Sequence, residues 1–296
     1  MGTLHIVATP IGNLEDVTLR ALRVLREVDQ VLAEDTRRTR ILLDHFEIPQ
    51  KAISLHAHNE MARIERVIEA LEDEGQVALV SDAGSPLVSD PGARLVAAVA
   101  EAGHRVEAVP GPSALVAALS VAGLDTERVL FLGFLPRKAG ARRKLLEGQR
   151  GRRETLVLFE SPRRVATTLR EIAEILDDPR ACLARELTKR HEEVIRDSAS
   201  VLALRYQEAP PRGECTLVIE GTSADQELAA SSWSEARLDE AICAELVSGG
   251  SVRDLAREIA ARSGHARGDV YARALSLKEQ AAGEAPASEQ SEDRSE

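Results

Sequence analysis

The chain has 296 residues, 44% of them hydrophobic, which supplies more than one packed core and excludes global disorder. Only 2% are aromatic, so Ala, Leu and Val must build those cores, and the formal net charge of −11 gives no general attraction for nucleic acid, leaving any such binding to local basic patches. Cys182, Cys215 and Cys243 lie far apart without a CxxC pair, the start lacks a basic segment followed by an apolar one, and the longest uncharged stretch, 108–124, is interrupted by Pro110 and Pro112; these features predict a cytoplasmic protein with no disulfide, zinc cluster, signal peptide or membrane span.

In chain order, "LHIVA" (4–8) reads as a strand, followed by the turn "TPIGNLED" and a helix carrying Leu19, Leu22, Leu25 and Val28. "QVLAE" is a strand, 37–46 a helix and "AISLHAH" a strand. Over 60–74, Ile64, Val67, Ile68 and Leu71 stand at i, i+3, i+4 and i+7, the spacing of an amphipathic helix. "QVALVS" is then a strand, 91–102 a helix, "RVEAVP" a strand and "PSALVAALSVAG" an apolar helix. Strands alternating with helices predict a parallel α/β sheet over residues 1–124.

A second α/β domain is expected over 125–222, with "RVLFLGFLP", "ETLVLFE", "ACLARE" and "GECTLVIEG" as strands, 139–148 as a basic helix, and a helix begun at Ser161 with Pro162 in its first position. Residues 233–278 read as three short helices; Ser251 is the expected N-cap of the middle one and Gly264 its stop. This module carries seven acidic and seven basic residues, so it lacks the charge of a DNA reader, and RNA docking and packing within a dimer both stay open for it. The tail 279–296 is acidic, of low complexity and expected to be disordered. No internal repeat is visible.

Three turn-rich loops follow three of the first-domain strands: "ATPIGNLED" (8–16), "SDAGSPLVSDPG" (81–92) and "VPGPSAL" (109–115). Ligands of open α/β sheets bind at the carboxyl ends of strands, and glycines let backbone approach them closely, so one shared cleft is expected, although ordinary turns would have the same composition. Neither G-x-G-x-x-G nor G-x-x-x-x-G-K-[ST] occurs, which argues against an ordinary dinucleotide or nucleoside-triphosphate site.

The words "ATPIGNLEDVTLRA", "AEDTRRTR", "SLHAHNE", "SDAGSPLVSDPG", "VPGPSAL", "FLGFLPRK", "ESPRRV", "RELTKRHEE" and "GECTLVIEG" run in order from residue 8 to 221. On them the chain resembles the tetrapyrrole-methylase-like (class III) family of S-adenosylmethionine-dependent methyltransferases. Its resemblance is to the ribosomal branch, which 2′-O-methylates a cytidine of 16S rRNA in the decoding centre. The first loop is not of the G-x-G-P-G-D type, nor the second a G-D-P word, as in the tetrapyrrole enzymes. The resemblance implies a two-domain α/β class III fold with a small C-terminal helix-turn-helix-like module, S-adenosyl-L-methionine as cofactor, 16S rRNA in the small ribosomal subunit as partner, and a homodimer. Rival readings are a methyltransferase of the same fold acting on a tetrapyrrole or a protein side chain, and a non-catalytic RNA-binding protein.

The resemblance carries cofactor contacts onto Pro10, Ala83, Gly84, Ser85, Val88, Ser113 and Ala114, with Glu160, Leu187 and Cys215 from the second domain. Asp82 belongs to the same loop, as a cofactor contact or as a turn former capping local N–H groups. Methyl transfer to a ribose hydroxyl needs a group to orient or deprotonate it, and Glu34, Asp35 and, with a lowered pKa, Lys189 are the candidates. Arg37 and Arg38 beside them are expected to hold RNA phosphates, or else to form a self-paired helix start capped by Thr36. His56, His58 and Asn59 are expected substrate contacts; the two histidines lack a third ligand for a metal. The run 137–153 holds eight basic residues and one acidic, a local excess suited to phosphates. Arg137, Lys138, Arg142, Arg143, Lys144, Arg163, Arg164 and Arg185 are the expected RNA contacts there and nearby, against the alternatives of a solvated helix face and local ion pairs with Glu160, Glu186 or Glu192.

Overall fold

A computed structural model describes residues 2–56, 59–222, 233–247 and 251–283 and divides the chain into two units, Met1–Gly221 and Thr222–Glu296. The first unit opens with β1 (Thr3–Val7), α1 (Leu19–Glu27), β2 (Gln30–Ala33), α2 (Thr36–His45), β3 (Ala52–Ser54), α3 (Glu60–Glu72), β4 (Gln76–Val80), α4 (Ala93–Glu101), β5 (Arg105–Val109) and α5 (Ala114–Ala122). Its strands form one sheet in the order β3-β2-β4-β1-β5, every neighbour parallel. Side chains alternate across the sheet. Val7, Val31, Ala33, Ala78 and Val80 pack under Leu22, Leu25, Leu42 and Leu43 of α1 and α2. Leu4, Leu32, Val77 and Leu79 pack on the opposite face with Val67, Leu71, Leu95 and Val99 of α3 and α4. Both faces being buried explains why these strands read as continuous apolar runs.

The second sheet uses β6 (Val129–Phe134), β7 (Thr155–Glu160), β8 (Arg180–Arg185), β9 (Glu193–Ser198) and β10 (Cys215–Ile219), in the order β6-β7-β10-β8-β9. It is mixed: β6 and β7 are parallel, the remaining pairs antiparallel. One face packs on α6 (Ala139–Glu147), α7 (Val165–Ile175) and α8 (Ala199–Arg205) through Leu146, Leu169, Ile172 and Leu202. The other face packs on α5, where Ala118 and Ala122 meet Val157, Cys182, Ala184 and Val218. Thus α5, which the sequence groups with the first domain, packs on the second sheet. The strand β9 and helix α8 were not expected. The strand β9, "EVIRDS", carries three charged residues in six and lies at the edge of the sheet, so it lacks the apolar run by which the central strands are read. The helix expected from Ser161 begins instead with a 3-10 turn, Pro162–Arg164, and becomes α-helical at Val165.

In the second unit, α9 (Glu235–Val247), α10 (Val252–Ser263) and α11 (Arg267–Gly283) pack around Leu238, Ile242, Leu255, Ile259, Val270 and Ala274. Ser251 caps α10, accepting from the N–H groups of Arg253 and Asp254, and Gly264 ends it at φ 72°, as the sequence predicts. The last helix runs to Gly283, beyond the expected end at 278; the rest of the tail lies outside the described residues. No helix among the described residues is long and apolar enough to cross a membrane.

Candidate active site

The turn-rich loops meet where β1, β4 and β5 end. Thr9 and Gly84 exchange two backbone hydrogen bonds of 2.9 and 3.0 Å, the Thr9 hydroxyl donates to the Ser81 carbonyl at 2.9 Å, and the Ser85 hydroxyl donates to the Pro112 carbonyl at 3.3 Å. Gly84 takes φ +87°, a left-handed conformation open to glycine, and a Cβ there would press on Ile11 at 3.3 Å. Leu87 and Ser89 also take positive φ, at 71° and 69°, as do Glu186 and Thr188 in the loop after β8. Such strained non-glycine residues concentrate at functional sites.

Above this floor lies a cleft with two adjoining lobes of about 310 and 250 Å³. Ile11, Arg38, Ser81, Asp82, Ala83 and Glu214 line both. The larger lobe is closed by Val88, Ser89, Asp90 and Ala114 on one side and by Phe134, Phe159, Glu160 and Cys215 on the other. The smaller one is closed by Pro10, Gly12, Thr39, Ile41 and Lys189. The loops of the two sheets touch at Gly12, where a Cβ would fall 2.3 Å from the Lys189 side chain, and the Asn13 N–H donates to the Thr188 hydroxyl at 3.1 Å.

Of the expected cofactor contacts, Pro10, Asp82, Ala83, Val88, Ala114, Glu160 and Cys215 therefore line the cleft. Gly84, Ser85, Ser113 and Leu187 do not; the first two knit the loops together, Ser113 begins α5, and Leu187 is buried with Ile11 and Val218. Glu160 is also committed inward. Its carboxylate accepts from the Ser161 N–H at 2.7 Å and the Thr168 hydroxyl at 2.7 Å and faces Arg164 at 3.2 Å. The Cys215 thiol is pushed up to about 12 by burial, so it serves as wall and not as nucleophile. Ser81, Asp90, Phe134, Phe159 and Glu214 are cleft residues that sequence reasoning missed. Ser81, Asp90, Phe134 and Glu214 stand inside the quoted family words, and Phe159 directly precedes one of them, so position along those words was the signal for them.

Three carboxylates mark the first-sheet side. Asp82 accepts from the Asp35 backbone N–H at 2.8 Å, which ties the end of β2 to the end of β4. The Asp90 carboxyl is raised by burial, against a hydrogen bond from the Ser81 hydroxyl. Glu34 is raised as well, first by desolvation and then by repulsion from Asp90 and Asp82, with His56 pulling the other way. Asp35 goes in the opposite direction. Hydrogen bonds from the Arg37 side chain, at 3.0 and 2.8 Å, and from its backbone N–H at 2.9 Å hold Asp35 at about 2. Asp35, and not Thr36, is the N-cap of α2. A carboxylate bound this way is a weak base, which corrects its candidacy for proton removal.

Lys189 is corrected too. Its ammonium sits 2.9 Å from Glu186 and 3.0 Å from Glu214, and these two carboxylates raise its pKa despite burial, so it stays charged. Arg38 joins the same network 3.8 Å from Glu214. The Asn59 side chain accepts from the His56 N–H at 2.8 Å and donates to the Ser54 carbonyl at 3.1 Å. His58 lies outside the described residues. No group of metal-ligating side chains occurs among the described residues.

The expected RNA surface divides in two. Arg142 is buried against Glu171 in a bidentate pair of 2.6 and 2.8 Å and also donates to the carbonyls of Pro136 and Arg137. Arg164 bonds Glu160 and the carbonyls of Leu135 and Pro136. Arg185 pairs with Glu193 at 2.6 Å and bonds the Arg212 carbonyl, and Arg143 pairs with Glu174 at 2.9 Å. The first three turn inward and leave the predicted surface. Arg137, Lys138, Lys144 and Arg163 are exposed, with no ion pair to another described residue.

Residues 3–203 match the family described as Tetrapyrrole (Corrin/Porphyrin) Methylases. The chain belongs to this family. It is 46% identical over 221 residues to the ribosomal RNA small subunit methyltransferase I of Thermotoga maritima, covering 75% of this chain and 99% of that protein. It is 47% identical over 261 residues to the protein of the same name from Xylella fastidiosa, covering 87% and 94%. Among solved structures, the uroporphyrin-III C-methyltransferase of Thermus thermophilus complexed with S-adenyl homocysteine shares the fold, with a TM-score of 0.54, 19% identity and coverage of 74% and 97%. The fold is the two-domain class III methyltransferase arrangement that the sequence motifs imply.

Proposed function

We propose that this chain methylates the ribose 2′-oxygen of a cytidine in the decoding centre of 16S rRNA, using S-adenosyl-L-methionine. The observation that carries the reading is the cleft between two sheets, apolar at Ile11, Val88, Ala114 and Phe159 and acidic at Asp82 and Asp90, in a chain almost half identical to ribosomal RNA small subunit methyltransferases over most of its length. That donor set fits the cofactor: apolar walls suit the adenosyl group, and carboxylates suit a sulfonium and an ammonium. Asp82, Ala83, Val88, Ala114, Glu160 and Cys215 of the larger lobe, with the Pro10–Gly12 loop, would hold it. When bound, the cofactor supplies an electrophilic methyl group on its sulfonium.

The chain's own residues do the rest. Glu34, close to Asp82 and Asp90 of the cleft, would accept the proton that the 2′-hydroxyl gives up on methylation. Its raised pKa makes it a better base than Asp35, which Arg37 holds low. Asp35 locks the start of α2, which fixes Glu34 beside Asp82. Arg38, Lys189 and the exposed cations Arg37, Arg137, Lys138, Lys144 and Arg163 attract RNA phosphates. Arg143, partly exposed, joins them when its pair with Glu174 opens. The enzyme works on the small ribosomal subunit in the cytoplasm as a homodimer, for which the exposed Val116 of α5 offers apolar surface.

The test is methyl transfer from labelled cofactor to small subunits that lack the modification, beside naked 16S rRNA and a tetrapyrrole precursor. Label on a cytidine 2′-oxygen is the expected result. Label on the tetrapyrrole alone overturns the reading.

A further inference from the structure

The chain contains four Phe, two Tyr and one Trp, and three of the four Phe gather at one edge of the cleft. Phe131 meets Phe159 edge-on at 5.0 Å, and Phe134 meets the same ring at 5.7 Å. Phe134 remains 59% exposed although it lines the larger lobe. Phe134 is thus an open aromatic ring at the rim of the cleft, within reach of whatever the cleft holds.

The backbone is shaped to put it there. On an uninterrupted strand Phe134 would share the face of Leu130 and Leu132, which pack against the core beneath α6 and α7. The pairing of β6 with β7 shifts by one residue between Phe131 and Gly133, so Phe134 pairs with Phe159 and turns onto the cleft face with Phe131. Gly133 makes the shift at φ +61°, against Ser89 of the strained loop. The segment that follows is clamped. Arg164 bonds the carbonyls of Leu135 and Pro136, and buried Arg142 bonds those of Pro136 and Arg137. Since Arg164 also holds Glu160, the clamp brings the exposed cations Arg137 and Lys138 to the turn that carries exposed Arg163. An open ring flanked by unpaired cations is the pattern of a surface that stacks a nucleobase and tracks its phosphates.

We infer that Phe134 is the stacking platform for an RNA base unstacked from its neighbours when the target ribose enters the cleft. The inference rests on the ribosomal RNA reading above. The bulge at Gly133 aims the ring, and Arg142 and Arg164 keep its segment rigid, so the base is met without ordering a loop.

The experiment compares the full chain with F134L, F134W and F134Y. It measures steady-state methyl transfer to small ribosomal subunits, affinity for S-adenosylhomocysteine by calorimetry, sedimentation and thermal melting. Stacking predicts that F134L raises KM for the subunits about ten-fold, the effect of one stacked base, while F134W and F134Y stay within about two-fold of the natural protein. Affinity for S-adenosylhomocysteine, sedimentation and melting should not change. Unchanged KM in F134L overturns the inference. So does weakened S-adenosylhomocysteine binding, which assigns the ring to the cofactor, or altered sedimentation, which assigns it to a second copy. Equal loss in all three variants also overturns it, because a flat ring would then not be what matters. If the natural chain transfers no methyl to RNA, the functional reading falls first and the stacking role with it.

Discussion

The first sheet brings carboxylates to the cleft, Asp82 and Asp90 with Glu34 beside them, on loops stiffened by Pro86 and Pro91 and opened by Gly84. The second brings Phe134, Phe159 and the cationic edge around Arg137, Lys138 and Arg163. The topology of each sheet explains this division. An all-parallel sheet sends every strand's carboxyl end to one side, so several loops converge there and acidic side chains can be held close together with raised pKa values. A mixed sheet sends fewer strand ends to the cleft, and it offers a wall instead: one edge turned by a bulge, held from behind by inward-facing arginines.

The sharpest break of this contrast is E34Q. Loss of the base should lower kcat about 10²–10⁴-fold, measured by single-turnover methyl transfer, with binding of S-adenosylhomocysteine retained. The natural chain should lose activity as pH falls through a carboxyl pKa above the ordinary glutamate value, because Glu34 then takes up a proton; E34Q should lack that acid limb. Comparable rates in E34Q at neutral pH would remove Glu34 from proton transfer.

On the second sheet, R142A leaves Glu171 buried without its partner and should cost about 3–5 kcal/mol of stability, read by urea unfolding. R142K should recover little, since a point charge does not replace a two-pronged guanidinium. The triple variant R137A/K138A/R163A should leave unfolding unchanged. It should weaken binding to single-stranded RNA and flatten the salt dependence of log K by about 2, from three phosphate contacts of about 0.7 each. An unaltered slope would make these side chains a solvated edge. The mildest test is thiol labelling at pH 8. Cys243 is exposed and should react, whereas Cys182 and Cys215, buried in the second sheet with raised pKa values, should be protected until the chain unfolds.

The strand and helix order of 1–124, the caps at Ser251 and Gly264 and the convergence of three loops were all legible in the chain, since each follows from side-chain periodicity or from turn chemistry within a few residues. Within the site, residues read from the quoted words reached the cleft where their backbone forms its wall, as at Pro10, Ala83 and Val88. The failures share one cause. Arg142, Arg164 and Arg185 look identical in sequence to Arg137 and Arg163, and their acidic partners decide which turn inward: Glu171 and Glu193 come from other elements, whereas the Arg164–Glu160 pair is the local alternative that the sequence offered. Charge composition is local, but burial of a charge depends on what packs against it from elsewhere in the chain.

The sequence by itself determined the family, the parallel first sheet and the loops that floor the cleft, because these rest on local backbone preferences and on an ordered series of short words. The structure sets two adjacent carboxyls apart. Glu34 and Asp35 are neighbours with the same chemistry, yet Arg37 holds one at about 2 while desolvation and the carboxylates Asp90 and Asp82 raise the other. It also decided that α5 covers the second sheet and that Phe134 faces the cleft. The Arg37 contact is local to the start of α2, but Asp90 and Asp82, which raise Glu34, and the strand that Phe134 pairs with lie far along the chain, and folding brings them into contact.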